Sequence, residues 1–166
     1  MTETAPGHEE LLPLVAAAAS VADHAALRPW RLIELRGESR ERLGAAFVEA
    51  SGADGPEAAK IAGKPLRAPL LIAIVVAHRD SVTVADWEQD VVAAGVAHTL
   101  SLLLDEAGWG VMWRTGLLTR SEPVRRMHRL ADNEQLLGWL YVGGLFGNGK
   151  DGPKKAITAS EFVTQL

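Results

Sequence analysis

The chain contains no cysteine among its 166 residues. It therefore has no disulfide scaffold, no thiolate metal site and no cysteine nucleophile. Long blocks of one charge sign are also missing, and the net charge is −4, which argues against a general nucleic-acid binder because such a protein needs a basic surface. Zinc-ligand spacings and a P-loop are absent, and no GxGxxG comes directly after a predicted strand. No GxSxG elbow is present, so hydrolase chemistry has little support.

No stretch is apolar enough for a membrane span, which needs about 20 such residues. The segment Met1–Glu10 is acidic and lacks the pattern of a signal peptide, so we expect a soluble, cytoplasmic protein. A hydrophobic content of 48% and a charged content of 23% are typical of globular chains. At this length we expect a single domain over 1–166. Within it, residues 1–7 are predicted to be disordered, and the tail 147–166 is predicted to find its burial partner on a second subunit.

The stretch Trp87–Gly116 is the predicted centre of the fold. Its first two thirds predict one helix with almost no polar face, and such a helix is buried on nearly all sides, in a core or against a partner chain. Gly108 is expected to end the helix because glycine tolerates left-handed dihedrals. Val111–Trp113 then predicts a short strand. Because Arg114 is followed by a hydroxyl and a glycine, the strand end is a candidate site for an anion.

Alternating strands and helices surround this centre. Continuous apolar residues over Leu70–Ala77 predict a strand buried on both faces. Ser51–Pro56 predicts a turn, and Ser121 is expected to cap a short helix. The candidate strands begin at Arg31, Leu70, Val111 and Leu136, with a possible fifth near the C-terminus, and further helices are predicted over His8–Ser20 and Gly37–Ala50. This order predicts an α/β or α+β protein with the sheet in the middle.

Two polar groups have roles that the residues alone leave open. Asp23 is suited to cap a helix and to orient the imidazole of His24. A lone histidine after an alanine-rich helix is nevertheless more often a cap or a surface residue than a ligand. The basic cluster Arg125–Arg129 is either a solvated helix end or a nucleic-acid contact, and the negative net charge disfavours the contact.

Several segments together resemble the flavin-dependent nitroreductase family, in particular its small compact branch. The resemblance runs from about His8 to the C-terminus and rests on the order and spacing of the segments rather than on one motif. The segments are Ala22–His24, Arg28–Trp30, Leu66–Pro69 with the strand after it, Trp87–Asp90, Gly110–Gly116 and Phe162–Thr164.

The resemblance implies an α+β fold with a central mixed β-sheet flanked by helices. It also implies an intertwined homodimer that exchanges the C-terminal segment, with one FMN at each end of the interface and NAD(P)H as the reductant. The implied reaction is ping-pong hydride transfer through the flavin to a nitroaromatic, a quinone or a similar small-molecule acceptor. Because hydride enters and leaves at the flavin, no catalytic acid or base and no metal ligand is expected.

By the same resemblance, the cofactor-binding residues are His24, Arg28, Trp113, Arg114 and Thr115. His24 and Arg28 match positions that approach the flavin in relatives, one of them from across the dimer. Trp113–Thr115 matches a segment that lines FMN and holds its phosphate end. A planar guanidinium and a hydroxyl suit a phosphate.

Two departures from the family pattern support an alternative. Relatives usually carry a basic segment near the N-terminus that clamps the FMN phosphate, whereas Met1–Glu10 contains no arginine. Losing two charge-assisted contacts of about 1.5–3 kcal/mol each would weaken FMN binding by about two to four orders of magnitude. Arg28 also stands where the small branch tends to have a neutral amide. The alternative is therefore a non-catalytic relative that binds or stores flavin, unless the natural chain starts upstream of Met1.

Overall fold

The computed structural model describes residues 1–146 and 156–165. Within these residues, helices and strands follow each other in an α+β arrangement, with short 3-10 turns between several of them. The helices are α1 His8–Ala18, α2 Glu38–Ser51, α3 Gly55–Ala62, α4 Asp86–Glu106 and α5 Glu122–His128. The strands are β1 Trp30–Leu35, β2 Leu70–Ala77, β3 Gly110–Arg114 and β4 Glu134–Gly143.

The strands form one sheet in the order β1-β2-β4-β3. Every pair of neighbours is antiparallel, so the described residues of one chain do not form the expected mixed sheet. β2 lies in the interior and is buried along its whole length, as its continuous apolar sequence predicts. The possible fifth strand is absent from the described part of the tail, where an exposed 3-10 turn occupies Ala159–Glu161.

The sheet is the middle layer between two layers of helices. Alternation along β2 directs Leu71, Ala73 and Val75 towards α2, α3 and α5. The intervening residues Leu70, Ile72 and Ile74 face α1 and α4. We call these two sides of the sheet the α2 face and the α4 face.

A β-bulge in β4 decides which of its side chains share a face. Ile74 pairs with Gly138 and Val75 with Leu136, so Leu137 is an extra residue without a partner on β2. Because of this extra residue, Leu136 lies on the α2 face together with Trp139 and Tyr141. Strict alternation would have placed Leu136 on the opposite face from these two aromatic residues.

Within the described residues of a single chain, helix α4 is buried on one side only. Val96, Ala97, Leu100 and Leu104 pack on the sheet, and Gly108 follows the helix at φ +88° as expected. The opposite side exposes 67% of Trp87, 62% of Val91 and 71% of Leu102. The helix predicted to be buried on nearly all sides therefore leaves an apolar side open to solvent in one chain.

Three local predictions differ from the structure. Residues 1–7, expected to be disordered, lie along the end of β4, where Thr2 N–H donates to Gly144 O (2.8 Å) and Gly144 N–H donates to Thr4 O (2.9 Å). Helix α3 begins at Gly55, inside the predicted turn. Pro56 fits there because the first residues of a helix do not use their backbone N–H groups in intrahelical hydrogen bonds. The Ser121 hydroxyl donates to Leu118 O (2.8 Å) and does not cap α5.

Of the predicted tail 147–166, residues 147–155 and 166 lie outside the described residues, and the remainder is exposed. In the described part of the chain, no helix is both long and apolar enough to cross a membrane. Residues 1–146 and 156–165 also contain no group of three or more histidine, aspartate and glutamate side chains that could hold a metal ion.

Glu134 is expected to make stability depend on acid pH. Arg31 donates from Nε (2.5 Å) and Nη2 (2.8 Å) to its carboxylate, and this contact is the main reason that the pKa of Glu134 lies below its ordinary value of 4.5. The pair therefore contributes stability above pH 4.5, and this contribution is lost as the pH falls through the lowered pKa. Glu134→Gln should lower the free energy of unfolding by about 1–3 kcal/mol at neutral pH. Because glutamine does not titrate, the variant should also lose less stability between neutral and acid pH, as measured by urea unfolding.

Glu57→Gln is the matched control for this prediction. Glu57 forms an exposed pair with Lys60 at 3.3 Å, and such pairs contribute about 0–1 kcal/mol. If Glu134→Gln changed the free energy of unfolding no more than Glu57→Gln does, the contribution assigned to the Arg31–Glu134 pair would be wrong.

Candidate functional site

A cavity of about 440 Å³ lies on the α2 face of the sheet, at the end of β3. β3 contributes Met112 and Arg114, and the chain after it contributes Thr115 and Gly116. Aromatic walls come from Phe47 of α2 and from Trp139 and Tyr141 of β4, and the 3-10 turn Lys64–Arg67 closes a further side. The cavity therefore combines an aromatic surface with the predicted anion-binding end of β3.

Three cations line this cavity: Lys64, Arg67 and Arg114. No carboxylate lines it, and within the described residues none of the three forms an ion pair, whereas Arg31 and Arg126 are paired with glutamates. Lys64 and Arg67 stand three residues apart in a 3-10 turn, where side chains at this spacing point the same way. Unpaired positive charge concentrated in one concave site favours an anionic ligand.

Tyr141 lies among these cations. The guanidinium carbon of Arg114 is 5.6 Å from the centroid of its ring. Burial raises the pKa of the Tyr141 phenol above its ordinary value of 10.0, although the charges of Arg114 and Arg67 oppose the rise. The phenol is therefore neutral near pH 7 and available to donate a hydrogen bond to an anion.

The predicted segment Trp113–Thr115 divides between the two faces of the sheet. Arg114 and Thr115 line the cavity. Trp113 borders the cavity as well, but its indole packs in the cluster on the α4 face, with its ring 4.8 Å from that of His98. Its Nε1 is buried and has no hydrogen-bond partner in the described residues. The structure thus brings Arg114 and Thr115 together and directs the Trp113 ring towards α4.

His24 and Arg28 lie apart from this cavity within a single chain. His24 lines a second cavity of about 210 Å³ at the start of α4, where its Nδ1 is 3.2 Å from the Glu88 carboxylate. Asp23 accepts from the backbone N–H of Leu27 (3.2 Å) and of Arg28 (2.8 Å), so its predicted contact with the imidazole is wrong. An approach of His24 or Arg28 to a flavin from across a dimer stays a prediction.

The backbone around Arg28 is strained. Its φ is +48°, and Ala25 and Ala26 have φ of +61° and +53°. Positive φ at residues other than glycine costs of the order of 1–3 kcal/mol each and is concentrated at functional sites. Arg28 is exposed and lines neither cavity, and the hydrogen bond from its N–H to Asp23 helps to hold its backbone in this conformation.

Sequence reasoning missed Lys64, Arg67, Trp139 and Tyr141 as residues of the site. Arg67 belongs to the segment Leu66–Pro69, which carried part of the family resemblance but no predicted role. The spacing of Lys64 from Arg67 was a usable signal only once a 3-10 turn was known there. No sequence signal places Tyr141 beside Arg114, because their proximity depends on the pairing of β3 with β4.

Comparisons with known proteins show the family of this chain and its fold. The family model described as "Nitroreductase family" matches residues 2–144. YdjA of Escherichia coli (strain K12), provisionally named an NAD(P)H nitroreductase, is 32% identical over 146 residues, which cover 86% of this chain and 80% of YdjA. A nitroreductase-like family protein from Bacillus cereus has a TM-score of 0.82 at 22% identity, covering 100% of this chain and 88% of its own. A mutant of NfnB, described as an FMN and NADPH-dependent nitroreductase from sphigopyxis sp. strain HMH, has a TM-score of 0.78 at 14% identity, covering 99% and 91%.

Proposed function

Since this chain belongs to the nitroreductase family, we propose that it is an FMN-dependent NAD(P)H oxidoreductase that works by a ping-pong mechanism. Family membership and the relation to YdjA support the general oxidoreductase function. The description of NfnB as dependent on FMN and NADPH supports the proposed cofactors. The proposed acceptor is a nitroaromatic, a quinone or a similar small molecule.

The observation that carries this proposal is the set of unpaired cations in the cavity of about 440 Å³. FMN joins a flat aromatic ring system to a phosphate, so it needs aromatic walls and positive charge in one site. Phe47, Trp139 and Tyr141 provide the walls, and Arg114 is accompanied by Lys64 and Arg67. The donor set therefore fits FMN.

Bound FMN would supply the hydride chemistry, and the residues of the cavity would hold and orient it. Arg114 and Thr115 offer a guanidinium and a hydroxyl to the phosphate. Lys64 and Arg67 add positive charge that the arginine-free segment Met1–Glu10 does not provide. Tyr141 offers a neutral hydroxyl between the cations.

A titration of the purified chain with FMN tests this proposal. We expect quenching of FMN fluorescence at micromolar concentrations and a yellow protein after removal of free flavin. A colourless protein that leaves FMN fluorescence unchanged at these concentrations would contradict the enzyme function.

The second candidate function is a non-catalytic relative that binds or stores flavin. It is favoured by the absence of arginine from Met1–Glu10, near which relatives usually carry a basic clamp for the FMN phosphate. The two candidates differ in one observation. An enzyme loses its yellow colour when NADPH or NADH is added without oxygen, whereas a storage protein stays yellow.

We further propose that the chain forms a homodimer through the open side of α4. Trp87, Val91, His98 and Leu102 follow each other at spacings of helical turns and are all exposed, so they form one stripe along the helix. A helix that is apolar on both sides needs a second surface to cover it. The C-terminal residues Ile157, Phe162 and Val163 expose more than 70% of their area and would be covered by the same partner.

Leu102→Asp is expected to weaken this dimer by at least about tenfold, because it places an unpaired charge in an apolar interface. Sedimentation equilibrium at several concentrations measures the change. Leu12→Asp is the control, since Leu12 is also exposed but lies on α1, outside the stripe. A wild-type chain that is monomeric at micromolar concentration would contradict the dimer.

A further inference from the structure

A buried hydrogen-bonded chain lies behind the cavity and joins one of its walls to helix α5. Trp139 Nε1 donates to His128 Nε2 at 3.1 Å, and His128 Nδ1 lies 2.8 Å from the carbonyl oxygen of Val124. Both side chains are buried, with 5% of His128 and 3% of Trp139 exposed. Since Nε2 accepts a hydrogen bond, the proton of the imidazole is on Nδ1, where it is donated to Val124.

Of the three hydrogen-bonded residues Trp139, His128 and Val124, only Trp139 lines the cavity. Its ring meets that of Phe47 edge-on at a centroid distance of 5.3 Å, and Phe47 lines the cavity as well. The indole is thus held at its nitrogen by α5, and it packs against the Phe47 ring of α2. His128 itself does not line the cavity.

We propose that His128 is a positioning residue, which fixes the orientation of the Trp139 indole and thereby the shape of the cavity wall against which the ligand binds. The role requires a side chain that accepts a hydrogen bond from Trp139 with one atom and donates a hydrogen bond to Val124 with another. Neutral histidine does so in a buried place, and its cost of burial is small because both of its nitrogens are satisfied.

The protonation state of His128 agrees with this role. Burial lowers the pKa of His128 below its ordinary value of 6.5, and the positive charge of Arg31 acts in the same direction, while the hydrogen bond to Val124 opposes them. The neutral form, with Nε2 free to accept, is therefore the form present at neutral pH.

The part of the proposal that concerns the ligand rests on FMN as the proposed cofactor, whereas the orientation of the indole can be measured in the protein without ligand. The experiment compares His128→Leu with His128→Gln, because a glutamine offers one acceptor and one donor and a leucine offers neither. Spectra of protein labelled with ¹⁵N-tryptophan show the indole N–H of Trp139, which Trp139→Phe identifies by its loss.

In His128→Leu we expect the Trp139 indole N–H signal to move and to exchange with solvent at least about tenfold faster. We also expect the FMN dissociation constant to rise by about 2- to 12-fold, the equivalent of one neutral hydrogen bond. His128→Gln should retain slow exchange and an FMN affinity close to that of the wild type. If His128 had a purely structural role, both variants would lose stability, and they would not differ from each other in indole exchange or in FMN affinity.

Slow exchange of the Trp139 N–H in His128→Leu would overturn the proposal. An unchanged FMN affinity in His128→Leu, despite fast exchange of the Trp139 N–H, would also overturn it. So would a His128→Gln variant that restores neither slow exchange nor FMN affinity. If His128→Leu does not fold, Trp139→Phe removes the donor from the other end, and wild-type FMN affinity in that variant would equally overturn it. A wild-type chain that does not bind FMN would contradict the proposed function, and the exchange measurements would then decide the role of His128 alone.

Discussion

Replacing Arg114 with alanine is expected to weaken FMN binding by about 10- to 100-fold, the equivalent of one charge-assisted contact to a phosphate. Arg114 ends β3 with its guanidinium over Tyr141 and has no carboxylate partner in the described residues. Its charge is therefore available to a ligand. Lys64 and Arg67 line the same cavity, so some affinity should remain in the variant.

A fluorescence titration with FMN measures this change, and sedimentation shows whether the oligomeric state is kept. Arg114→Lys keeps the charge but loses the planar fork, so its affinity should fall between those of the wild type and Arg114→Ala. Arg42→Ala, on the exposed surface of α2, is the control and should bind FMN as the wild type does. Unchanged affinity in Arg114→Ala would refute the assignment of Arg114 to the phosphate.

Gly138→Ala is expected to destabilise the protein by about 2–6 kcal/mol, through backbone strain and overpacking together. Gly138 has a φ of +143°, which residues with side chains rarely adopt. An added Cβ would overlap the carbonyl oxygen of Arg114 and lie 2.8 Å from Trp113 Nε1 and 3.1 Å from Thr115 Cγ2. The strand end must move to make room, so the groups that line the cavity would move with it.

The matched control is Gly52→Ala. Gly52 also has a positive φ, +63°, but a Cβ there would meet nothing within 4 Å, so this variant carries the backbone cost alone, about 1–2 kcal/mol. Urea unfolding compares the two, and FMN titration should show at least a tenfold loss for Gly138→Ala only. Equal destabilisation, with FMN affinity kept in both, would show that the close approach of β3 to the bulge does not position the site.

The sequence predicts the strands and the long helix well, because the spacing of their apolar residues reflects which side chains are buried. Leu70–Ala77 has the bounds that its continuous apolar run indicates, and β3 lies where Val111–Trp113 was expected. The prediction failed at α3, where glycine and proline mark the start of a helix as readily as a turn. The expected mixed sheet came from the family resemblance, and local patterns contain no information on strand direction.

The candidate site was predictable only in part. Arg114 and Thr115 were found because they end a strand and match a family segment. The cavity also needs Lys64, Arg67 and Tyr141, and their proximity depends on the sheet order β1-β2-β4-β3 and on the pairing of β3 with β4. Hydrogen bonds between distant residues, such as that from Trp139 to His128, leave no periodic trace in a sequence.

The most direct test of the proposed function is reduction of the bound flavin. Wild-type protein is loaded with FMN, freed of excess flavin and mixed without oxygen with NADPH, and separately with NADH. We predict that at least one of the two bleaches the yellow colour in proportion to the bound FMN, and that a nitroaromatic or a quinone then restores it. Protein that holds FMN but stays yellow with both nucleotides would contradict the oxidoreductase function and favour a flavin-binding protein without catalysis.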